Sequence, residues 1–210
     1  MTGSQGRTPS KQKGKTYPPE ILTPAEVMAL IQGCSTRAPT GIRNRALLTL
    51  FYRAGLRMSE ALDLQPKDID LEAGTVTVLH GKNDHRRTVG LDSEAITMMA
   101  HWIDTRASLG INGRMNLFCT LKGARLQSAY VRALLPRLAA KAGIDKRVHA
   151  HALRHSLAYE LMMEGVAVPI IQRQLGHANL ATTAVYLDHI APKDVIEAGQ
   201  QRNDWWSEPT

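Results

Sequence analysis

Four short segments of the chain contain side chains that could act together on an anionic substrate. They are residues 54–60 (AGLRMSE), the pair Gly81 and Lys82, residues 151–155 (HALRH), and residues 175–177 (LGH) followed by Tyr186. Each segment alone is weak evidence, because an isolated arginine after a glycine is usually a surface charge and a lone tyrosine is usually a packing residue. Only their combination and order can indicate a catalytic site.

A cationic stretch surrounds the third segment. His151 and Arg154 are three residues apart, so on a helix they share one face and can both reach a single anion. Residues 136–155 contain five lysines and arginines against Asp145, a net charge of +4 before any histidine is protonated. This charge density suits contact with a chain of phosphates.

The histidines raise a metal site as an alternative. Five of the eight histidines fall between His149 and His189, and His151 with His155 has the i, i+4 spacing of helical ligands. The residues that usually complete a histidine metal site are missing. The sequence has no HExxH glutamate, no nearby cysteine and no acidic cluster to complete the ligand set. EF-hand, P-loop and GxGxxG patterns are also absent. The sequence therefore predicts no metal and no cofactor.

The composition is that of an ordinary globular chain with a basic excess. The 210 residues carry a formal net charge of +7, and 43% of them are hydrophobic. No apolar run reaches the roughly 18 residues that span a bilayer, and the first residues lack the apolar core of a secretory signal. Cys34 and Cys119 match neither a disulfide framework nor a metal pair, which predicts two buried thiols. We expect a cytoplasmic protein with a polyanionic partner and no membrane association.

Hydrophobic periodicity and turn residues predict a mainly α fold with a small antiparallel β-hairpin or sheet. Thr23 and Glu26 have the spacing of a capping box. The β-branched residues 75–79 and the extended pattern of 85–91 flank a turn at 81–84, which predicts the hairpin. Pro136 is expected to kink or interrupt its helix. The predicted helices span about 24–31, 41–54, 59–64, 93–108, 127–141, 149–164, 168–175 and 179–187.

Taken in order, the segments GLRMSE, Gly81–Lys82, HALRH and LGHANLATTAVY resemble the catalytic domain of the tyrosine recombinase (phage integrase-like) family. The resemblance covers nearly all of residues 22–190. It implies the DNA breaking-rejoining fold of that family. It also implies attack of a tyrosine on a DNA phosphodiester, which gives a 3′-phosphotyrosyl link and a free 5′-hydroxyl. Because the link conserves the bond energy, this reaction needs neither ATP nor a metal.

The resemblance assigns roles to seven residues. The two arginines of the family pattern would bind the non-bridging phosphate oxygens with their guanidinium forks. The lysine would protonate the leaving 5′-oxygen, the first histidine would act as base or proton shuttle near the tyrosine, and the second would donate to the phosphate. The glutamate would orient an arginine or a histidine. The matching positions are Arg57, Lys82, His151, Arg154, His177 and the nucleophile Tyr186, with Glu60 in support.

Base contacts and assembly are further expectations from the resemblance. A helix from about residue 127 would press against a DNA groove, although ordinary surface and core roles remain open for each of its residues. The candidates are Arg125, Gln127, Ser128, Tyr130 and Arg132. Double-stranded DNA is the expected partner, with a homotetramer on DNA, and the protein would associate with the nucleoid.

Three regions are expected along the chain. Residues 1–20 carry a charge of +3 and are predicted to form a flexible basic arm. Residues 21–190 are predicted to form the catalytic domain, and residues 191–210 a C-terminal tail. Trp205 and Trp206 lie in that polar tail, and we expect their large apolar side chains to be buried, either against a neighbouring protomer or against their own domain. The separate DNA-clamping domain that most family members carry before the catalytic one is not seen, so the chain is either a naturally short recombinase or an excised catalytic domain.

Two other functions stay open. A catalytically idle DNA-binding relative could serve as a regulatory or directionality factor, and a metal-dependent nuclease or hydrolase could use the histidine cluster. An idle relative would be free to lose Tyr186 or an arginine, and the sequence retains them all. The complete set of residues favours a site-specific DNA recombinase.

Overall fold

The computed structural model describes residues 21–79, 86–111, 113–176 and 200. This part of the chain forms seven α-helices and one small sheet, which confirms the predicted mainly helical class. The helices are α1 (Pro24–Gln32), α2 (Pro39–Arg53), α3 (Met58–Asp63), α4 (Ser93–Ser108), α5 (Ser128–Ala142), α6 (Ala150–Met163) and α7 (Val168–Leu175). The strands are β1 (Ile69–Asp70), β2 (Thr75–Leu79) and β3 (Arg86–Gly90). The predicted helix at 179–187, the arm and nearly all of the tail lie outside the described residues.

Helix α1 begins with the predicted capping box. The hydroxyl of Thr23 accepts a hydrogen bond from the backbone N–H of Glu26 at 3.2 Å, and the Glu26 carboxylate accepts one from the N–H of Thr23 at 2.7 Å. Pro24 occupies the first turn, where its missing N–H costs nothing. The N-terminus of α1 is therefore fixed by local chemistry.

Helix α2 is the central element of the core. Leu47, Leu50 and Phe51 are completely buried, and the helix packs against α4 and α6. It begins at Pro39 rather than at the expected residue 41, because a proline is well accommodated in the first helical turn. The chain leaves α2 through Ala54 and Gly55 and turns directly into the segment that contains Arg57.

The three strands form an antiparallel sheet in the order β1-β2-β3. Thr75 pairs with Gly90 and Leu79 with Arg86, so β2 and β3 form the predicted hairpin. Val76, Val78 and Val89 point into the core, as the alternating pattern of a half-buried sheet requires. The two-residue strand β1 was not predicted, because two residues are too few to show a period of two. The turn at 80–85 lies outside the described residues.

Helix α5 corrects one prediction. Pro136 was expected to kink or interrupt it, but the helix is continuous from Ser128 to Ala142, so the interruption is wrong. Pro136 removes the hydrogen bond to the carbonyl of Arg132, and both residues are exposed, so water can satisfy that carbonyl.

The two cysteines are free and buried, as predicted. Cys34 is 6% exposed and Cys119 is fully buried in the hydrophobic core. Within the described ranges, none of the helices combines the length and the apolar character needed to cross a bilayer.

Candidate active site

The turn between α2 and α3 presents Arg57. Gly55 adopts a φ of +63°, a conformation that favours glycine. A Cβ at this position would lie 2.7 Å from Cδ2 of Leu175 and 3.0 Å from Cδ2 of Leu157, so the turn packs closely against α6 and α7. Arg57 follows at the N-cap of α3. The glycine in the sequence AGLR thus places the arginine beside the C-terminal end of α7, where its Nη2 donates to the carbonyl of Gly176.

Glu60 is a buried carboxylate that receives two arginines. Its side chain is 5% exposed. Arg57 donates to it twice, from Nη1 at 2.7 Å and from its backbone N–H at 2.8 Å. Arg87 donates from Nη1 at 3.0 Å and from Nη2 at 2.8 Å. Burial alone would raise the pKa of Glu60, but the hydrogen bonds and charges of Arg87 and Arg57 outweigh it and lower the pKa to about 2.

Arg154 is completely buried where α6 meets the Gly55 turn and α7. Its Nη1 donates to the carbonyl of Gly55, and its Nη2 donates to the carbonyl of Leu175 at 2.6 Å. The guanidinium therefore faces main-chain oxygens in this structure.

The C-terminal end of α7 brings three arginines together. The carbonyls of Gln174, Leu175 and Gly176 accept from Arg87, Arg154 and Arg57 respectively, at 3.3, 2.6 and 2.8 Å. The last carbonyls of a helix have no partner within the helix, and they carry the negative end of its dipole. We call Arg57, Arg87, Arg154 and Glu60 the arginine cluster. It is assembled from α3, β3 and α6 around the end of α7.

His151 lies one turn before Arg154 on α6 and is exposed. Its ring meets the ring of His155 edge to face, with the centroids 4.2 Å apart. Partial burial of the ring and the positive charge of Arg154 lower the pKa of His151, with smaller contributions from His149 and Arg57. A histidine with a lowered pKa is neutral near pH 7, as a proton acceptor must be.

A cleft of about 500 Å³ opens between the α3 turn, α5 and the start of α6. Its cationic and imidazole lining consists of Arg57, Arg132, Arg147, His149 and His151. The cleft thus brings together two residues of the predicted catalytic set and one of the predicted DNA contacts. Arg154 lies buried beside it rather than in its lining. Lys82, His177 and Tyr186 lie outside the described residues, and their roles stay predictions.

The other candidate DNA contacts lie in several environments. Arg125 is exposed and pairs with Asp63, while Gln127 is exposed at the N-cap of α5 and Ser128 is half-buried in its first turn. The hydroxyl of Tyr130 accepts from the amide of Asn44 at 2.9 Å, and the guanidinium of Arg43 lies 4.8 Å from the centre of its ring. Contact of these residues with DNA stays a prediction.

Sequence reasoning missed the place of Arg87. Nothing in a β-strand pattern indicates a contact of Arg87 with Glu60. Arg147 was counted in the cationic stretch, so its place in the cleft had a signal in the sequence.

Known proteins are similar to this chain in sequence. The family model described as the phage integrase family matches residues 20–192. Tyrosine recombinase XerC of Xylella fastidiosa (strain M23) is 38% identical over 186 residues, which are 88% of this chain and 62% of the relative. XerC of Xanthomonas campestris pv. campestris (strain B100) is 36% identical over 168 residues, 80% of this chain and 51% of the relative.

A solved structure is similar over the same region. The crystal structure of XerH site-specific recombinase, bound to a palindromic difH substrate in a post-cleavage complex, has a TM-score of 0.74 and 31% identity. The match covers 91% of this chain and 55% of that one, and it confirms the predicted fold class. The chain spans little more than half the length of several of these relatives. Because the family model covers most of its 210 residues, the chain belongs to the phage integrase family.

Proposed function

We propose that the chain is a site-specific DNA recombinase that cleaves and rejoins DNA through a 3′-phosphotyrosyl intermediate. The observation that carries this proposal is the arginine cluster at the edge of a cationic cleft. Arg57 belongs both to the arginine cluster and to the lining of the cleft. Its side chain is 33% exposed, and its guanidinium is paired with the buried carboxylate of Glu60. A fixed guanidinium at a solvent-accessible edge is suited to bind a phosphodiester.

Tyr186 is the proposed nucleophile. Its hydroxyl oxygen bonds to phosphorus as the bond to the 5′-oxygen breaks, and the DNA is left with a 3′-phosphotyrosyl end. Lys82 gives a proton to the departing 5′-oxygen, and His151 takes the proton of the tyrosine. The lowered pKa of His151 supports this role, because a base must be neutral before it accepts a proton. Attack by the 5′-hydroxyl of a second strand reverses the step.

Arg57, Arg154 and His177 are proposed to stabilise the charge that accumulates on the phosphorane. Guanidinium groups that are already fixed by protein contacts need no reorganisation during the reaction. Glu60 acts through Arg57 rather than on the phosphate, since its carboxylate is buried and occupied by two arginines.

Double-stranded DNA is the proposed substrate. The XerH relative is bound to its difH substrate, and the cleft of this chain carries three arginines. We also infer a homotetramer on DNA and an association with the nucleoid. The proposed contact between protomers is the tail at 191–210. A chain ending at residue 190 should then bind DNA but fail to form tetramers in sedimentation experiments, and unchanged assembly would exclude the tail.

A covalent-trapping experiment tests the reaction. The 210-residue chain is incubated in EDTA with a pool of DNA duplexes of randomised sequence, each with a nick at a fixed position in one strand. Cleavage near the nick releases a short fragment that diffuses away, so the strand cannot be religated and the covalent intermediate accumulates. A protein–DNA adduct on a denaturing gel is expected for the wild type and not for Tyr186→Phe. Sequencing of the trapped DNA also yields the preferred site.

Two variants sharpen the readout. Arg57→Lys keeps the charge but loses the fork, so the rate of adduct formation should fall by about 10²–10³. Sequence-specific binding without any adduct would instead identify an idle DNA-binding relative. Cleavage that appears only with added metal and leaves free ends would identify a hydrolase. Either result overturns the proposal.

A further inference from the structure

Arg87 on β3 is largely buried, whereas its neighbour Arg86 is exposed. Its side chain is 11% exposed, and all of its described contacts point into the protein. Two of them run to the two oxygens of Glu60, and the third runs from Nε to the carbonyl of Gln174. Arg86 is exposed, as the alternation of a strand requires.

The contact with Glu60 fixes the plane of the carboxylate. A bidentate pair between guanidinium and carboxylate holds both groups in one orientation. Glu60 offers Oε1 to Nη1 of Arg57 and Oε2 to the backbone N–H of Arg57. The position of the Arg57 guanidinium therefore depends on where Arg87 holds the carboxylate.

The contact with α7 fixes the segment before His177. A Cβ at Gly176 would lie 2.8 Å from Nη1 of Arg87, so the guanidinium packs against the backbone at the end of the helix. Gly176 has a φ of +65° and is followed directly by His177 in the sequence. Arg87 thus joins β3 both to Glu60, which holds Arg57, and to the backbone at the end of α7.

Arg87 is not itself placed to bind the phosphate. It does not line the cleft that Arg57 and His151 share, and its fork is engaged by Glu60. Its contacts therefore act on Glu60, on Arg57 through Glu60, and on the end of α7, and Arg87→Lys keeps the positive charge while it changes these contacts.

We propose that Arg87 is a positioning residue for DNA cleavage, which clamps Glu60 and the end of α7 so that the guanidinium of Arg57 is held in place for the phosphate. This inference rests on the proposed recombinase function. A misplacement of about 1 Å in such a site can cost 10²-fold in rate.

The first test compares Arg87→Gln, Arg87→Lys and the matched control Arg86→Gln. Cleavage is measured as the single-turnover rate of adduct formation with a saturating concentration of nicked DNA that carries the site found in the covalent-trapping experiment. The affinity for the same DNA is measured separately. Arg87→Gln should lower the rate about tenfold to hundredfold while the Kd stays within about twofold. Arg87→Lys should recover only part of the loss, because lysine cannot make the bidentate contact. Arg86→Gln should cleave at the wild-type rate.

The second test does not need activity. Amide hydrogen exchange in the free full-length protein should be faster at residues 57–62 and 174–176 in Arg87→Gln, and unchanged there in Arg86→Gln. Unchanged exchange in Arg87→Gln overturns the clamp. Faster exchange with a wild-type cleavage rate overturns the role in cleavage.

The two proposals fail in different ways. If the wild type forms no adduct, the recombinase function fails and the role of Arg87 in cleavage falls with it. If the wild type forms the adduct and Arg87→Gln forms it equally fast, only the inference about Arg87 fails.

Discussion

At the residue scale, Glu60 shows how a single carboxylate can organise a cationic site. It is buried, and yet its pKa is lowered, because the arginines that face it outweigh the loss of solvent. Removing such a partner leaves buried charge uncompensated, which costs more than the pair itself contributes. The glutamate is thus an internal counterion of the site.

Glu60 gives a pH prediction. Its folded pKa of about 2 is below the ordinary value of 4.5, so its contribution to stability is complete above pH 4.5 and is lost as the pH falls through 2. The shift corresponds to about 3 kcal/mol, of which about 2 kcal/mol should be lost by pH 3. Urea unfolding from pH 6 to pH 3 should show this loss in the wild type and not in Glu60→Gln. The exposed control Glu72→Gln should show the same loss of stability as the wild type. Equal pH dependence in all three proteins would contradict the prediction.

Gly55 gives a stability prediction. Alanine at this position would hold a left-handed conformation and meet Leu175 and Leu157, so the free energy of unfolding should fall by about 2–4 kcal/mol. Gly90→Ala is the control, because no atom lies within 4 Å of its added Cβ. Chemical denaturation of the two variants checks the difference. Equal stabilities would mean that the turn can relax.

At the scale of elements, the sequence predicted helices best where local signals were strong. The span 93–108 matches α4 and the span 168–175 matches α7, because capping residues and glycines mark their ends. Strand β1 was missed because it has only two residues, and α5 continues through Pro136 although the proline removes one of its hydrogen bonds. Local patterns do not contain that tertiary information.

The same limit applies to the site. The resemblance assigned roles to Arg57, Glu60, His151 and Arg154, but it did not show that Arg154 is fully buried against two carbonyls. Nor could the strand pattern show that Arg87 reaches Glu60. Contacts between residues far apart in the chain require the fold.

Helix α1 gives a prediction at this scale. Thr23→Ala removes the side-chain acceptor for the N–H of Glu26, so the free energy of unfolding should fall by about 1 kcal/mol. Thr97→Ala is the matched control, since its hydroxyl only bonds back to the carbonyl of Ser93 within a helix, and alanine there should be neutral or slightly stabilising. Thermal melts of both variants decide whether the cap stabilises the domain as expected.

At the scale of the whole molecule, the basic excess is tested by salt. If the cleft follows DNA phosphates, Arg132→Gln and Arg147→Gln should each reduce the slope of log K against log salt by about 1. Arg37→Gln, exposed between α1 and α2 and outside the cleft, is the control. Fluorescence anisotropy with a duplex of fixed sequence, titrated at several KCl concentrations, gives the slopes. An unchanged slope in both cleft variants would place the phosphate path elsewhere.

The end of α7 has a consequence for thermal inactivation. Helices as short as its eight residues are marginal by themselves and depend on their packing. Its last carbonyls hold three guanidiniums that would otherwise repel one another. Local opening of α7 would disperse them while α2 and the rest of the core remained folded. We therefore expect adduct formation by the wild type to be lost at a lower temperature than the one at which the far-UV circular dichroism signal of the helices melts.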